Sequence, residues 1–385
     1  MFNMLFKSFC IFTAFSILFE MLPFFFNDEK EAGLDWEDDV ICIFKPTEGG
    51  VCYPRMYTLK NGTLVCGFDY NGKIAMVESH DNGKTWSKEP VIIAEVEQKT
   101  CANAAFVQLE SGEILCAYRA TGYVDGKFYG SLRVNSSLDN GKTWSFHSMI
   151  IETLQDSDNF NGVWEPHFGY IGDKLAVYYS NDSLNDAVEK HEYQNIEYKF
   201  FENGEWSEKH IACDGKKSDS RDGMPVWFQC SDGTYLLAIE STHLRDHKKE
   251  KIKSSFVIEL LQSDDGMNWN NGSTVYIPSK KNGGDYAGAP YVVQLPDGRL
   301  CVSFQTNENV EIEGVSDAWT ARIITTRKAY NGKVNLFSFT KPFAPFGKEG
   351  ISNWNALYVN ENYLFALTSK RDEDGARILL RRSVL

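Results

Sequence analysis

From residue 38 onward the hydrophobic pattern repeats. An apolar run is followed by a Gly-containing turn, a second apolar run, a polar stop and then an outer hairpin. The first unit reads YPRMYTLKNGTLVCGFD followed by KIAMVES, and the second NAAFVQLESGEILCAYRA followed by GSLRVNSS. The third reads WEPHFGYIGDKLAVYYSN with NIEYKFFENGEW, and the fourth GMPVWFQCSDGTYLLAIES with SSFVIELLQ. The fifth is APYVVQLPDGRLCVSFQT with TARIITTRKAYNGKV, and the sixth NWNALYVNENYLFALTSK with ARILLRRSV. Six units of roughly 45–60 residues, each with about four strand signals, predict an all-β, six-bladed propeller. The sixth unit is one strand short, and DVICIFK near residue 40 belongs to no unit. Pairing the two closes the ring and removes an open sheet edge.

The hairpin turns carry a second repeat. SHDNGKTW, from Ser79 to Trp86, returns as SSLDNGKTW with Asp139 and Trp144, and in shortened form as SDDGMNW with Asp265 and Trp269. In each, Ser and Asp bond nearby backbone N–H groups and Gly supplies a positive φ. The tryptophan anchors the outgoing strand. Asp81, Trp86, Asp139, Trp144, Asp265 and Trp269 are therefore assigned to folding.

Topology then places the chemistry. The turns at Gly62, Gly112, Gly172, Gly233 and Gly298 join the first and second strands, A and B, of their units, at the same end as the Asp-turns. Strand B ends at the opposite mouth. Seven residues past the turn glycine stand Asp69, Arg119, Glu240 and Gln305, with Ser180 and Ser369 matching in the two units with shorter turns. All are polar after an apolar run. The starts of strand A add Arg55, Asn103, Glu165 beside Trp164, Asp222, Tyr286 and Trp354. This ring of carboxylates, amides, arginines and aromatics suits a sugar. Glu165 and Glu240, on neighbouring units, are the candidate catalytic pair, because glycoside hydrolysis requires two facing carboxyl groups. Arg55, Asp69, Asn103, Arg119, Trp164, Asp222, Tyr286, Gln305 and Trp354 are candidate substrate-binding residues.

Charge and composition narrow the partners. With 53 acidic and 39 basic residues the net charge is −14, which argues against nucleic acid. HKKEKIK, 247–253, reads as a solvated loop. No dinucleotide or phosphate-binding glycine motif occurs, so no cofactor is expected. His167 and His243 lack a third partner at ligand spacing, and no metal site is assigned. Nine cysteines form no zinc pattern. Cys66, Cys116 and Cys301 read as buried thiols, whereas Cys52 and Cys101 sit at equivalent places in successive units and are a candidate bridge. Residues 1–26 read as a secretory signal, with a membrane anchor as the alternative. Sequons at Asn61, Asn135, Asn181 and Asn271 are compatible with secretion. One catalytic domain, 38–385, acting as a monomer, is expected.

The Asp-turns resemble the Asp-boxes of the sialidase superfamily of six-bladed propellers. Within it, YPRM, VWEP, SRDGMP and LLAIES, in that order, resemble glycoside hydrolase family 93, the exo-α-1,5-L-arabinanases. The resemblance covers about residues 38–385. It implies release of arabinobiose from linear arabinan with retention, Glu240 serving as nucleophile and Glu165 as acid/base, or the reverse. That family also uses a tyrosine near the site. Unit six offers Trp354 and Asn355 in its place, leaving Tyr286 as the stand-in. Two rival readings are a sialidase, drawing on Arg119 with Arg221 or Arg322, and a non-catalytic propeller that binds a glycan or a protein. Sialidases, however, begin with Arg-Ile-Pro and use three arginines and a Tyr–Glu pair, and a sialic acid carboxylate fits a mouth rich in Asp and Glu poorly.

Overall fold

The computed structural model describes residues 30–156, 161–183, 193–242, 256–269, 271–310 and 318–385. Residues 1–26, read above as a secretory signal, the 247–253 basic run and His243 lie outside them. Six antiparallel sheets follow one another along the chain. The first blade comprises β2 (Val51–Thr58), β3 (Leu64–Tyr70), β4 (Lys73–Ser79) and β5 (Val91–Ala94). The second runs from β6 (Lys99–Gln108) through β7 (Ile114–Val124) and β8 (Lys127–Ser137) to β9 (Ser145–Gln155). The third holds β10 (Val163–Ile171), β11 (Lys174–Asn181) and β12 (Asn195–Glu202), with two short outer strands. In the fourth, β15 (Asp222–Gln229) and β16 (Tyr235–Ser241) are the inner strands, joined by Val257–Ser263 and Asn271–Tyr276. The sixth has β22 (Ile351–Val359), β23 (Tyr363–Asp372) and β24 (Gly375–Val384), and β1 (Asp35–Phe44) pairs with β24 as its outer strand. The ring closes as the pattern predicts.

The fifth blade departs from the pattern. It has three strands, β19 (Ala287–Gln294), β20 (Leu300–Thr306) and β21 (Thr320–Thr325). In place of a fourth, isolated bridges Ile323–Phe343 and Thr326–Phe339 cover the outer edge. Apolar side chains between neighbouring sheets form the core; one cluster joins Leu64, Cys66 and Val77 of the first blade to Phe365, Leu367 and Leu380 of the sixth.

Each Asp-turn locks its blade to the preceding one. In the second, Ser137 Oγ donates to Asp139 Oδ1 at 2.8 Å and Asp139 accepts from Thr143 N and Oγ1 at 2.9 and 2.6 Å. Trp144 Nε1 closes the loop on the Gly141 carbonyl at 3.0 Å. A Cβ on Gly141, at φ 86°, would come within 3.0 Å of Met76 in the first blade. In the third turn the tryptophan bond is relayed: Trp269 Nε1 donates to the hydroxyl of Tyr178, 3.2 Å away in the third blade, and that hydroxyl donates to the Gly266 carbonyl.

Cys52 and Cys101 are both free thiols, so the candidate bridge is absent; the Cys52 thiol turns instead toward Asp69 Oδ2 at 3.7 Å. Cys66, Cys116 and Cys301 are buried thiols. Two sequon asparagines are buried within the fold: Asn135 donates to the Ile93 carbonyl and Asn181 to Glu197.

The first Asp-turn gives a test. Thr85 and Ser79 hydrogen bonds hold the Asp81 carboxyl down to about 2. Its contribution to stability is complete above the unfolded value near 4 and is lost as pH falls toward 2. Asp81→Ala is expected to cost about 1 kcal/mol in urea unfolding at pH 7, less at pH 2.5, and to leave any ligand binding at the opposite mouth unchanged.

Candidate functional site

All six inner strands share one defect. In each blade the first strand slips register by a residue against the second: between Cys52 and Arg55, Ala102 and Ala105, Trp164 and His167, Gly223 and Val226, Gly288 and Tyr291, and Asn353 and Ala356. At each bulge one residue is left-handed: Tyr53, Asn103, Glu165, Met224, Ala289 and Trp354, with φ from 45° to 64°. Bulges re-aim side chains, and non-glycine residues at positive φ each cost on the order of 1–2 kcal/mol. Tyr53, Met224 and Ala289 pack together with Trp354 as a floor beneath the mouth, the Tyr53 and Trp354 rings 5.3 Å apart.

The polar residues that end strand B hold these bulges. Asp69 Oδ1 accepts from Asn103 N at 2.9 Å, Ser180 Oγ from Met224 N at 3.0 Å, Glu240 Oε2 from Ala289 N at 2.9 Å, and Gln305 Oε1 from Trp354 N at 2.8 Å. Each bond runs from one blade to the next. Ser369 turns to its own blade, donating to the Asn353 carbonyl. Arg119 has no acceptor atom, and at its junction the bulge residue is Glu165. Arg119 lies over the Trp164 ring at 4.8 Å, and Trp164 Nε1 donates to Asp182 Oδ1 at 2.9 Å. Asp182, which the repeat pattern did not single out, is thereby part of the site.

The two candidate carboxyls differ in surroundings. Burial raises Glu165 to about 7, reinforced by Glu240 and Asp182 and opposed by Arg119 and Arg221. Burial also raises Glu240, but the Ala289 N–H, Arg221 and the Tyr286 hydroxyl favour its ionised form. Tyr286, stacked on Trp319 at 4.9 Å, holds its hydroxyl beside Glu240. Arg221 Nε donates to Gln194 Oε1 at 2.9 Å. Several buried atoms here have no hydrogen-bond partner: Tyr53 Oη, Asn103 Oδ1, Arg119 Nε and Gln305 Nε2. Such atoms cost about 1–3 kcal/mol each unless a ligand or water meets them.

Two candidates fall elsewhere. Arg55 lies two residues beyond its bulge, in the throat below the floor, and donates to the carbonyls of Pro54 and Asn355 at 2.8 and 3.4 Å. Asp222 is fully buried beside the mouth, where it accepts from Ser220 and Ser241 at 2.7 and 2.8 Å. Neither lines the cup. Arg322, offered above for a carboxylate clamp, is buried on the Ala321 and Glu308 carbonyls.

No family model matches the chain, and no curated protein matches its sequence. Solved structures do. An α-L-arabinanase of Penicillium chrysogenum complexed with arabinobiose is 19% identical with a TM-score of 0.61, over 90% of this chain and 97% of that one. The family 93 α-L-arabinofuranosidase of Fusarium graminearum, with arabinobiose, gives 19% and 0.58 over the same shares. The NanB sialidase of Streptococcus pneumoniae gives 12% and 0.59, over 94% of this chain and 72% of that one. The chain has the six-bladed, sialidase-type propeller fold. A protein of unknown function from Dyadobacter fermentans shares it, with 13% identity and a TM-score of 0.67 over 91% of this chain and 98% of that one.

Two tests follow from the site's packing. A Cβ on Gly288 would stand 2.2 Å from the Tyr286 hydroxyl and 2.5 Å from Glu240 Oε2. Gly288→Ala is therefore expected to displace both, to break the Glu240–Ala289 contact and to cost about 1–3 kcal/mol in urea unfolding. Burial also raises Asp69 to about 7. A carboxyl raised on folding stabilises the fold when protonated, and that stability is lost as pH rises through about 7. Asp69→Asn keeps the acceptor for Asn103 N–H, so it is expected to gain on the order of 1–3 kcal/mol over the parent at pH 8 and little at pH 4, read by urea unfolding.

Proposed function

We propose that the protein is a retaining, exo-acting glycoside hydrolase that releases arabinobiose from α-1,5-linked L-arabinan. The observation that carries this reading is the unequal pair in the mouth. Glu165 is held near 7 and so retains a proton near neutrality, whereas Glu240 is clasped by donors that favour its carboxylate. Divergent environments for two neighbouring carboxyls assign acid and nucleophile. Glu240 attacks the anomeric carbon while Glu165 protonates the departing glycosidic oxygen. Glu165, now ionised, takes a proton from water, whose oxygen displaces Glu240 and yields the free sugar with its configuration retained. Of the two orders of roles the sequence leaves open, the surroundings support Glu240 as nucleophile and Glu165 as acid/base. The arabinobiose held by the two fungal structures supports arabinan as substrate. The N-terminal apolar segment and the exposed sequons at Asn61 and Asn271 support secretion.

One observation favours a second reading. The Tyr286 hydroxyl beside Glu240 resembles the Tyr–Glu pair of sialidases. Against it stand the three arginines offered for a carboxylate clamp: Arg119 lies over the Trp164 ring, Arg221 Nε donates to Gln194 and Arg322 is buried on the Ala321 and Glu308 carbonyls, so they form no triad.

Product analysis on debranched arabinan, arabino-oligosaccharides and sialyl-lactose decides between them: arabinobiose as the product is expected, and free sialic acid would overturn the proposal. Glu240→Gln is expected to lower turnover by at least about 10⁴-fold while arabinobiose still binds. Unchanged turnover in that variant would exclude Glu240 as nucleophile, and absence of turnover in the parent would leave a glycan-binding propeller. The rate should also fall as pH rises through about 7, where Glu165 loses its proton, and Glu165→Gln should abolish that dependence for substrates with good leaving groups.

A further inference from the structure

Behind the bulge floor the central channel widens toward the end where the inner strands turn. Two cavities there, of about 490 and 320 Å³, share six lining residues, among them Trp227, Phe228, Tyr291 and Tyr358. The volume is that of a small-molecule site. At its inner end stands Arg55, half-buried and lying over the Tyr53 and Tyr291 rings at 4.2 and 5.3 Å. Among the described residues no carboxylate oxygen lies within 4.0 Å of its guanidinium, whose hydrogen bonds go to two backbone carbonyls. Asp69, which feels its field, is committed to Asn103 N–H on the far side of the floor. His167 lines the same chamber, and its Nδ1 is buried without a partner. The rim is exposed at Gln229 and Ser231.

A cation without a carboxylate partner, at the bottom of an aromatic-walled chamber, in a protein of net charge −14, selects for an anion that also presents an apolar face. We propose that this rear chamber is a second binding site, for a small carboxylate bearing a flat ring face, either an aromatic acid or a uronic acid. The carboxylate meets Arg55 and the ring lies against the aromatic walls. The Tyr53–Met224–Ala289–Trp354 floor packs between this chamber and the catalytic cup, and the one small cavity that Arg55 and Glu165 both line, of about 10 Å³, has room for no more than a water. It does not depend on the glycosidase reading.

Isothermal titration of the full chain at pH 7 with sodium benzoate, sodium glucuronate and, as neutral control, benzyl alcohol tests this. One site is expected for at least one of the acids, with benzyl alcohol weaker by about tenfold or more; which acid binds more tightly identifies the ring class. Arg55→Met should weaken the acid by about tenfold or more. Gln229→Trp, at the exposed rim, should block it with the fold intact by circular dichroism, and this variant decides the matter if Arg55→Met does not fold. Saturating arabinobiose should not displace the acid. The proposal is overturned if neither acid binds, if benzyl alcohol binds as tightly, if Gln229→Trp binds as the parent does, or if arabinobiose competes.

Discussion

The structure depends on one repeated contact, in which a polar side chain at the end of strand B accepts the backbone N–H of a left-handed residue in the next blade. The contact answers two problems at once. A propeller needs its blades joined near the axis, where the inner strands converge. A β-bulge leaves an unpaired N–H, which is expensive once buried. At four junctions Asp69, Ser180, Glu240 and Gln305 provide the acceptor. The polar stop in the repeat is therefore first a structural requirement, whatever chemistry it later carries.

The site arises where that rule is bent. At the Glu240 junction the clasp is kept, and the residue that makes it is a carboxylate long enough to present its second oxygen to the cup. Two junctions earlier in the ring, Arg119 cannot accept, and the left-handed residue it faces is Glu165. The guanidinium rests on Trp164 and lends its field to Glu165. One carboxyl is thus held by a backbone donor while the other is left to burial and distant charge. Their inequality is a consequence of which residue occupies each clasp.

The hydrophobic repeat made the blades, the ring closure and the Asp-turns legible, because each depends on local periodicity or on turn chemistry. Counting from the turn glycine found the clasp residues, since strand B is regular from the turn to the mouth. Strand A was harder to read. Of the residues read as strand-A starts, Asn103, Glu165 and Trp354 are the left-handed bulge residues, whereas Arg55, Asp222 and Tyr286 lie two or three residues from Tyr53, Met224 and Ala289. A bulge inserts a residue without changing the apolar pattern, so period-two counting drifts past it. The available signal was the proline after Tyr53, Glu165, Met224 and Ala289, repeated in four blades. Asp182 and Gln194 escaped for a different reason: they lie beyond the strand ends, where no repeat fixes their position. The missing fourth strand of blade five likewise hides in a segment whose contacts are single bridges.

Tyr286, three residues ahead of its bulge residue Ala289, still reaches the site. Gly288 carries no Cβ, and the space that one would fill holds the Tyr286 hydroxyl and Glu240 Oε2. A side chain there would force the carboxylate away from Ala289 N–H, breaking the clasp and the proposed catalytic geometry together. Fold and proposed chemistry are therefore coupled at one carboxylate: Glu240 joins the fourth blade to the fifth with the oxygen that also faces Tyr286. A glutamine at 240 retains an acceptor for the blade contact but loses the charge, which is why that substitution separates the two functions where alanine would remove both.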